Sequence, residues 1–435
     1  MTNNDMIKLK LMVLCAFFLL SCNQGGYEIS VENIKRIITA LAADSMQGRK
    51  AFTPGIDKAA AFIAAEFKQA GIEPLQGQDD HLQRFDVFEI HIAGSDFRIG
   101  GQSLPDDQFV VKTDVEIHWD SDETNSEYVK AGEDLFARYR EITAQGKDVV
   151  IFVDGTHANA FSRFLSYLRR PVKTLEQGSG FSYAMVLLDG DGIAPNKWIL
   201  DASVTVKKQP MANVAGMVPG VKKDEFVIFS AHYDHIGYLE PSAGDSIANG
   251  ANDDASGCAA VLELARYFNS GKRPERTLLF VTFTAEEMGG YGSQYFSKQY
   301  LPEQVVAMFN IEMIGKPATD GPNSAWITGF DMSDLGKLMQ QSARGSKYRF
   351  YKDPYPQQNL FYRSDNATLA RLGVPAHTIS TTPIDVDTDY HQVTDHIETL
   401  DLVHLTNTVK AIAIGADKIV NGELTPTRVD VTVLD

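Results

Sequence analysis

Apolar residues recur at helical spacing over 31–43 (VENIKRIITALAA), directly after Ser30, a residue that suits a helix N-cap. The same period runs through 56–70 (IDKAAAFIAAEFKQA) and stops at Gly71. The polar stretch between them, DSMQGRKAFTPG, reads as a loop. Over 85–205 the pattern weakens. Short runs at 109–111, 148–153 and 183–188 suggest strands, and 157–169 a helix. From about 210 it sharpens. Segments 226–230, 277–283 and 305–311 are near-continuous apolar runs, as in strands covered on both faces, and 376–380 reads as a further strand. Helices are predicted at 255–268, 292–300, 333–343, 366–372 and 399–420. Strands alternating with helices imply an α/β fold, a three-layer sandwich around a mixed, largely parallel sheet. The predicted organisation is a leader over 1–22, one α/β domain formed by 23–84 and 206–435, and an α+β insertion over 85–205.

Composition adds exclusions. Hydrophobic residues are 44% and charged residues 22% of the 435, ordinary values for a folded chain. The net charge of −17 argues against nucleic acid as a partner, because neutralising phosphates needs a basic face. Of Cys15, Cys22 and Cys258, only the last lies in the body of the chain, which excludes a disulfide framework there. The apolar run 11–20 follows Lys8 and Lys10 and is too short to span a bilayer. It ends in Leu19-Leu20-Ser21-Cys22, which resembles a bacterial lipobox. The expectation is lipidation at Cys22, membrane contact by that anchor only, and a place in the cell envelope, periplasmic or at the cell surface.

Chemistry concentrates just beyond the predicted strand ends, where open α/β sheets build their sites. His232 and Asp234 follow the first strand, Glu286 and Glu287 the second, and Glu312 the third. Asp253 and Asp254 open a helix, and His391 and Asp395 come late. Imidazoles and carboxylates suit zinc. Two His with three carboxylates exceed what one ion needs and match two ions sharing a bridging carboxylate. In a Glu-Glu pair the neighbours diverge, so one can bind metal while the other serves as a base. The segment 347–363, dense in aromatics and Arg, is expected near the mouth of such a site. Ser364 and Asp365 read as helix caps, and His235 and His396 as rim residues.

The ordered motifs AHYDHIG, GANDDASG, TAEEMGGYGS, NIEMIG and YHQVTD resemble those of the co-catalytic zinc aminopeptidase family. That family includes bacterial leucyl aminopeptidases, glutamate carboxypeptidase II and, more distantly, glutaminyl cyclases. The lead-in over 41–74 and NVAGMVPG before the first core strand belong to the resemblance, which spans roughly 31–80 and 210–420. It implies hydrolysis of peptides with two zinc ions. His232 and Glu312 would bind one ion, Glu287 and His391 the other, and Asp253 would bridge them. Glu286 would be the general base, Asp234 would orient His232, and Asp395 would do the same for His391. Glu312 is a departure, since the family most often has Asp there; it remains an oxygen ligand, one methylene longer. The implied activity is an exopeptidase acting on peptide N-termini. The alternatives are a one-zinc glutaminyl cyclase and a non-catalytic binding protein on the same scaffold.

Overall fold

The computed structural model describes residues 26–178, 180–188 and 194–433. The leader and Cys22 lie outside them. The main sheet is built chiefly from β1 Leu82–Ile99, β2 Trp198–Val218, β3 Lys222–His232, β4 Arg276–Phe283, β5 Val305–Ile311, β6 Ser324–Ile327, β7 Arg349–Lys352 and β8 Ala376–Ser380. Their order is β7-β6-β8-β5-β3-β4-β2-β1. The centre is parallel: β3 pairs in parallel with β4 and β5, and β5 with β8. β2 and β1 continue it antiparallel on one side, and β6 pairs antiparallel with β8 on the other. The sheet is mixed and largely parallel at its core, as the alternating pattern implied.

Period-two packing explains the apolar runs. Val227, Phe229 and Ala231 of β3 face one core, and Ile228 faces the other. The first core is closed by helices α1 Val31–Leu41, α2 Pro54–Gln69, α3 Ser256–Ser270, α5 Leu335–Ser342 and α7 Leu402–Val420. The second is closed by α4 Tyr291–Ser297 and α6 Asn366–Ala370. Helices cover both faces, which makes the three layers. At the centre of the first core Phe229 stacks on Phe280 and Phe309, with centroids 5.4 and 5.1 Å away. A phenylalanine in such a place is worth about 3–5 kcal/mol against truncation to Ala. This packing holds the strand that ends in His232.

Residues 109–187 contain a four-stranded sheet of Phe109–Lys112, Tyr183–Leu187, Val149–Val153 and Ser126–Val129, flanked by helices Leu135–Thr143 and Ala158–Leu168. Phe97, Trp198 and Leu200 from the far ends of β1 and β2 pack against it. β1 pairs with β2 from end to end, from Leu82↔Val214 to Ile99↔Trp198. The positions 85 and 205 therefore fall inside continuous strands rather than in linkers. No periodicity marks them, because the middle of β2 is exposed on both faces over residues 205–208. Among the described residues, no helix is long and apolar enough to cross a membrane.

Candidate metal centre

The parallel strands β3, β4, β5 and β8 end on one edge, and the site lies there. His232 is the last residue of β3, Glu286 and Glu287 follow β4, and Glu312 follows β5. Asp253 comes from the irregular turn before α3, and His391 from the loop between β8 and α7. Several local conformations are unusual. Ala285, Met313 and His391 are non-glycine residues with φ near +55°, a geometry that costs roughly 1–2 kcal/mol per residue. Such outliers cluster at functional sites, where the fold over-determines them. Glycine is required at two points of the Asp253 turn. Gly250 has φ +60°, and a Cβ there would lie 2.3 Å from the Asp253 carbonyl oxygen. At Gly257 a Cβ would lie 2.2 Å from the Ile311 carbonyl oxygen.

Asp253 is the hub. One carboxylate oxygen lies 3.2 Å from His232 Nε2, and the other lies 3.3 Å from His391 Nε2. Glu287 offers one oxygen to His391 Nε2 at 3.1 Å and the other to His235 Nδ1 at 2.9 Å. Glu286 and Glu312 line the same cavity, which measures about 260 Å³. Burial pushes the Glu286 and Glu312 carboxyls up and raises Asp234 to about 6. Burial works the same way on Asp253, but the neighbouring imidazoles of His232 and His391 prevail and hold it well below the usual carboxylate range. Hydrogen bonds to Asp253 and Glu287 raise His391 to about 10. So many acids in one dry place are costly without a cation. The donor set fits zinc: nitrogen and oxygen ligands converge, and the buried His232 Nε2 has no hydrogen-bond partner.

The residues proposed as ligands and base are thus brought together. Two supporting roles differ from expectation. Asp234 was expected to orient His232, yet its nearest oxygen is 3.9 Å from His232 Nδ1, which instead faces the Asp234 carbonyl at 3.2 Å. The Asp234 carboxylate accepts hydrogen bonds from the amides of Glu286 and Glu287, at 3.0 and 3.3 Å. It aims the Glu-Glu turn. Asp395 was expected to orient His391. It accepts instead from the amides of Asn252 and Asp253, at 2.9 and 3.0 Å, and so fixes the Asp253 turn. The cause is the same in both: turn amides shut off from water need acceptors, and a buried carboxylate satisfies two at once.

His235, expected at the rim, is 1% exposed. Its Nδ1 and oxygens of Asp253 and Glu287 lie within 4.8 Å of one another, close enough to hold an ion. His235 and His391 both approach Glu287, so either imidazole can join it around an ion. His396 stays outside, 3.5 Å from Asp245. The expected cap at Asp365 makes no capping bond and is buried, and burial raises it to about 7. Of the segment 347–363, Gln358, Leu360 and Arg363 line the cavity.

Three supporting residues escaped the sequence reading. Asp254 accepts from the amides of Met313 and Gly257, at 3.1 and 3.0 Å, tying the Glu312 loop to the Asp253 turn. Arg49, fully buried, donates to the carbonyls of Asn249, Gly250 and Asp253 from beneath that turn. Its place in the lead-in motif was the available signal. Lys316 pairs with Asp387 and, at 2.7 Å, with Asp389, and so anchors the loop that carries His391. Lys316→Met is expected to free that loop and weaken zinc binding about tenfold, in the range for lost supporting partners of a ligand. Chelator competition measures this, and an unchanged affinity would remove Lys316 from the site's support.

An α/β sandwich with a carboxylate–imidazole centre at its strand ends defines a metal-dependent enzyme class, and comparison with known proteins narrows it. The model of Peptidase family M28 matches residues 213–414, the stretch that carries all five motifs. The resemblance to the co-catalytic zinc peptidases is thereby borne out. A "Probable zinc metalloprotease" of Pyricularia oryzae is 36% identical over 108 residues, 24% of this chain and 21% of that protein. "Leucine aminopeptidase 1" of Leptosphaeria maculans is 29% identical over 221 residues, 47% and 55% of the two chains. The chain spans about half, or less, of the length of the curated relatives it matches. The aminopeptidase from Aneurinibacillus sp. strain AM-1 shares the fold with a TM-score of 0.53 and 19% identity, over 94% of this chain and 97% of that one. For BSAP, a zinc aminopeptidase from Bacillus subtilis, the values are 0.55, 16%, 91% and 97%.

Proposed function

We propose that the protein is a zinc-dependent exopeptidase, most simply an aminopeptidase that removes N-terminal residues from peptides. One observation carries this reading: Asp253 turns one oxygen to His232 and the other to His391, the disposition of a bridging ligand. His232 and Glu312 would hold one ion. Glu287 with His391, or with the buried His235, would hold a second. Zinc bound there supplies Lewis acidity, polarising a carbonyl and making water acidic enough to lose a proton near neutral pH. Glu286 takes that proton on its carboxylate and delivers it to the leaving amine. The Asp234 carboxylate holds the amides of Glu286 and Glu287, so base and ligand keep their divergent directions. The apolar walls Met313, Trp326, Leu360 and Ile384 accept a terminal side chain and exclude water. The small cavity favours an exopeptidase over an enzyme that grips a long chain.

A panel of aminoacyl p-nitroanilides, assayed alongside zinc analysis of the same sample, tests the reading. It predicts hydrolysis with about two zinc ions per chain. One zinc with conversion of N-terminal Gln would point to a cyclase, and zinc-loaded protein inert on every peptide would sink the enzymatic reading.

We further propose that the enzyme is a lipoprotein of the cell envelope, tethered through Cys22. Support comes from the apolar run and the small residue that precede this cysteine. Cys22→Ser should appear in the soluble fraction; persistence in salt-washed membranes would count against the anchor.

A further inference from the structure

Arg363 lines the same cavity as Glu286, Glu287 and Glu312. It is exposed, and among the described residues its guanidinium makes no ion pair and no side-chain hydrogen bond. Other cations nearby are engaged: Lys316 holds Asp387 and Asp389, and Lys352 pairs with Asp331 at 2.5 Å. In a chain with 57 acids and 40 bases, a free arginine beside a cluster of carboxylates is conspicuous. Its planar fork matches a carboxylate in bidentate fashion. A second observation points the same way. Trp326 lines the cavity and is 3% exposed, yet its indole Nε1 has no hydrogen-bond partner. A buried donor left unpaired is costly unless a ligand accepts from it.

We propose that this cavity selects peptides that carry a carboxylate within a residue or two of the bond that is cut, with Arg363 as the selecting residue. The inference rests on the exopeptidase reading of the same site. Reach supports it. The cavity is about 260 Å³, below the roughly 300–1,000 Å³ of typical ligand sites. Glu286 and Arg363 line this one small cavity, and each extended residue spans about 3.3–3.6 Å, so a short piece of substrate is enough to touch both. Charge supports it too. The walls are acidic at Asp253, Glu286, Glu287 and Glu312, and would disfavour an anionic substrate. Arg363 offsets this for a substrate whose negative charge lies at the arginine end. The carboxylate can be the C-terminus of a di- or tripeptide, or an acidic side chain beside the scissile bond.

The test compares kcat/KM for Leu-Leu, Leu-Leu-amide and Leu-Asp-amide in wild type, Arg363→Met and Arg363→Lys, each zinc-loaded and checked by thermal melting. The wild type should favour a carboxylate-bearing peptide over Leu-Leu-amide by about tenfold, mostly in KM. Arg363→Met should bring that ratio toward one, and Arg363→Lys should restore part of it. Preference for Leu-Leu would assign the C-terminal carboxylate, and preference for Leu-Asp-amide the side chain. A wild type that cuts all three equally, or a preference that survives Arg363→Met, would overturn the inference while leaving the exopeptidase intact. Failure to cut any of them would sink both.

Discussion

Glu286→Gln is expected to keep about two zinc ions and the native fold while turnover falls by about 10²–10⁴-fold, the usual loss for a general base. The amide preserves shape and hydrogen bonding but cannot take up a proton. Glu286 and Glu287 both line the cavity, and one feature separates them. Among the described residues the Glu286 carboxylate forms no ion pair with an imidazole, whereas Glu287 contacts both His235 and His391. The Glu286 amide and that of Glu287 share the Asp234 carboxylate, so the two side chains leave a fixed turn in different directions. Glu287→Gln should accordingly lower zinc content, since a neutral amide is a poor zinc ligand. Metal analysis and turnover on one p-nitroanilide distinguish the two variants. Zinc loss in Glu286→Gln with zinc retained in Glu287→Gln would reverse the assignments.

Removal of the Glu312 carboxylate should have the next largest effect. Glu312→Ala is expected to drop zinc from about two ions per chain to about one, with activity falling alongside. Glu312→Asp should keep most of the metal and measurable activity. The backbone here is pinned: the Glu312 amide donates to the Ile379 carbonyl at 3.1 Å, and the next amide, of Met313, donates to Asp254. Shortening the side chain therefore withdraws the carboxylate by about one C–C bond, roughly 1.5 Å. The strand end cannot follow it. A small shift of the ion or a change in how the carboxylate binds would have to make up the difference. Full zinc and full activity in the Ala variant would strike Glu312 from the ligands.

Residue type and order along the chain were enough to place the main sheet and its chemistry. Strands buried on both faces must be apolar throughout, so 226–230, 277–283 and 305–311 announce themselves. Parallel strands all end on one edge, so the polar residue after each run is delivered to one place without knowledge of the packing. That is why His232, Glu286, Glu287 and Glu312 were legible, whereas Asp253 and His391, which lie in loops, were assigned by the resemblance of their motifs. Three strands of the second sheet were legible as apolar runs too, but the long β1–β2 pair was not, because β2 is exposed on both faces over 205–208 and loses the alternation that would mark its length.

Partner choice was decided only by the tertiary structure. That Asp234 and Asp395 are carboxylates near ligands is plain in the chain. Which groups they satisfy is not. Asp234 meets amides 52 and 53 residues away, and Asp395 meets one 143 residues away. Backbone amides carry no residue-specific signature, so nothing in the sequence marks a turn amide as short of an acceptor. The burial of His235 and the hold of Lys316 on the His391 loop have the same origin: each depends on where a second loop lands. The chemistry of this site is therefore written in side-chain identity, while its alignment is written in loop-to-loop hydrogen bonds that exist only once the sheet edge has been assembled.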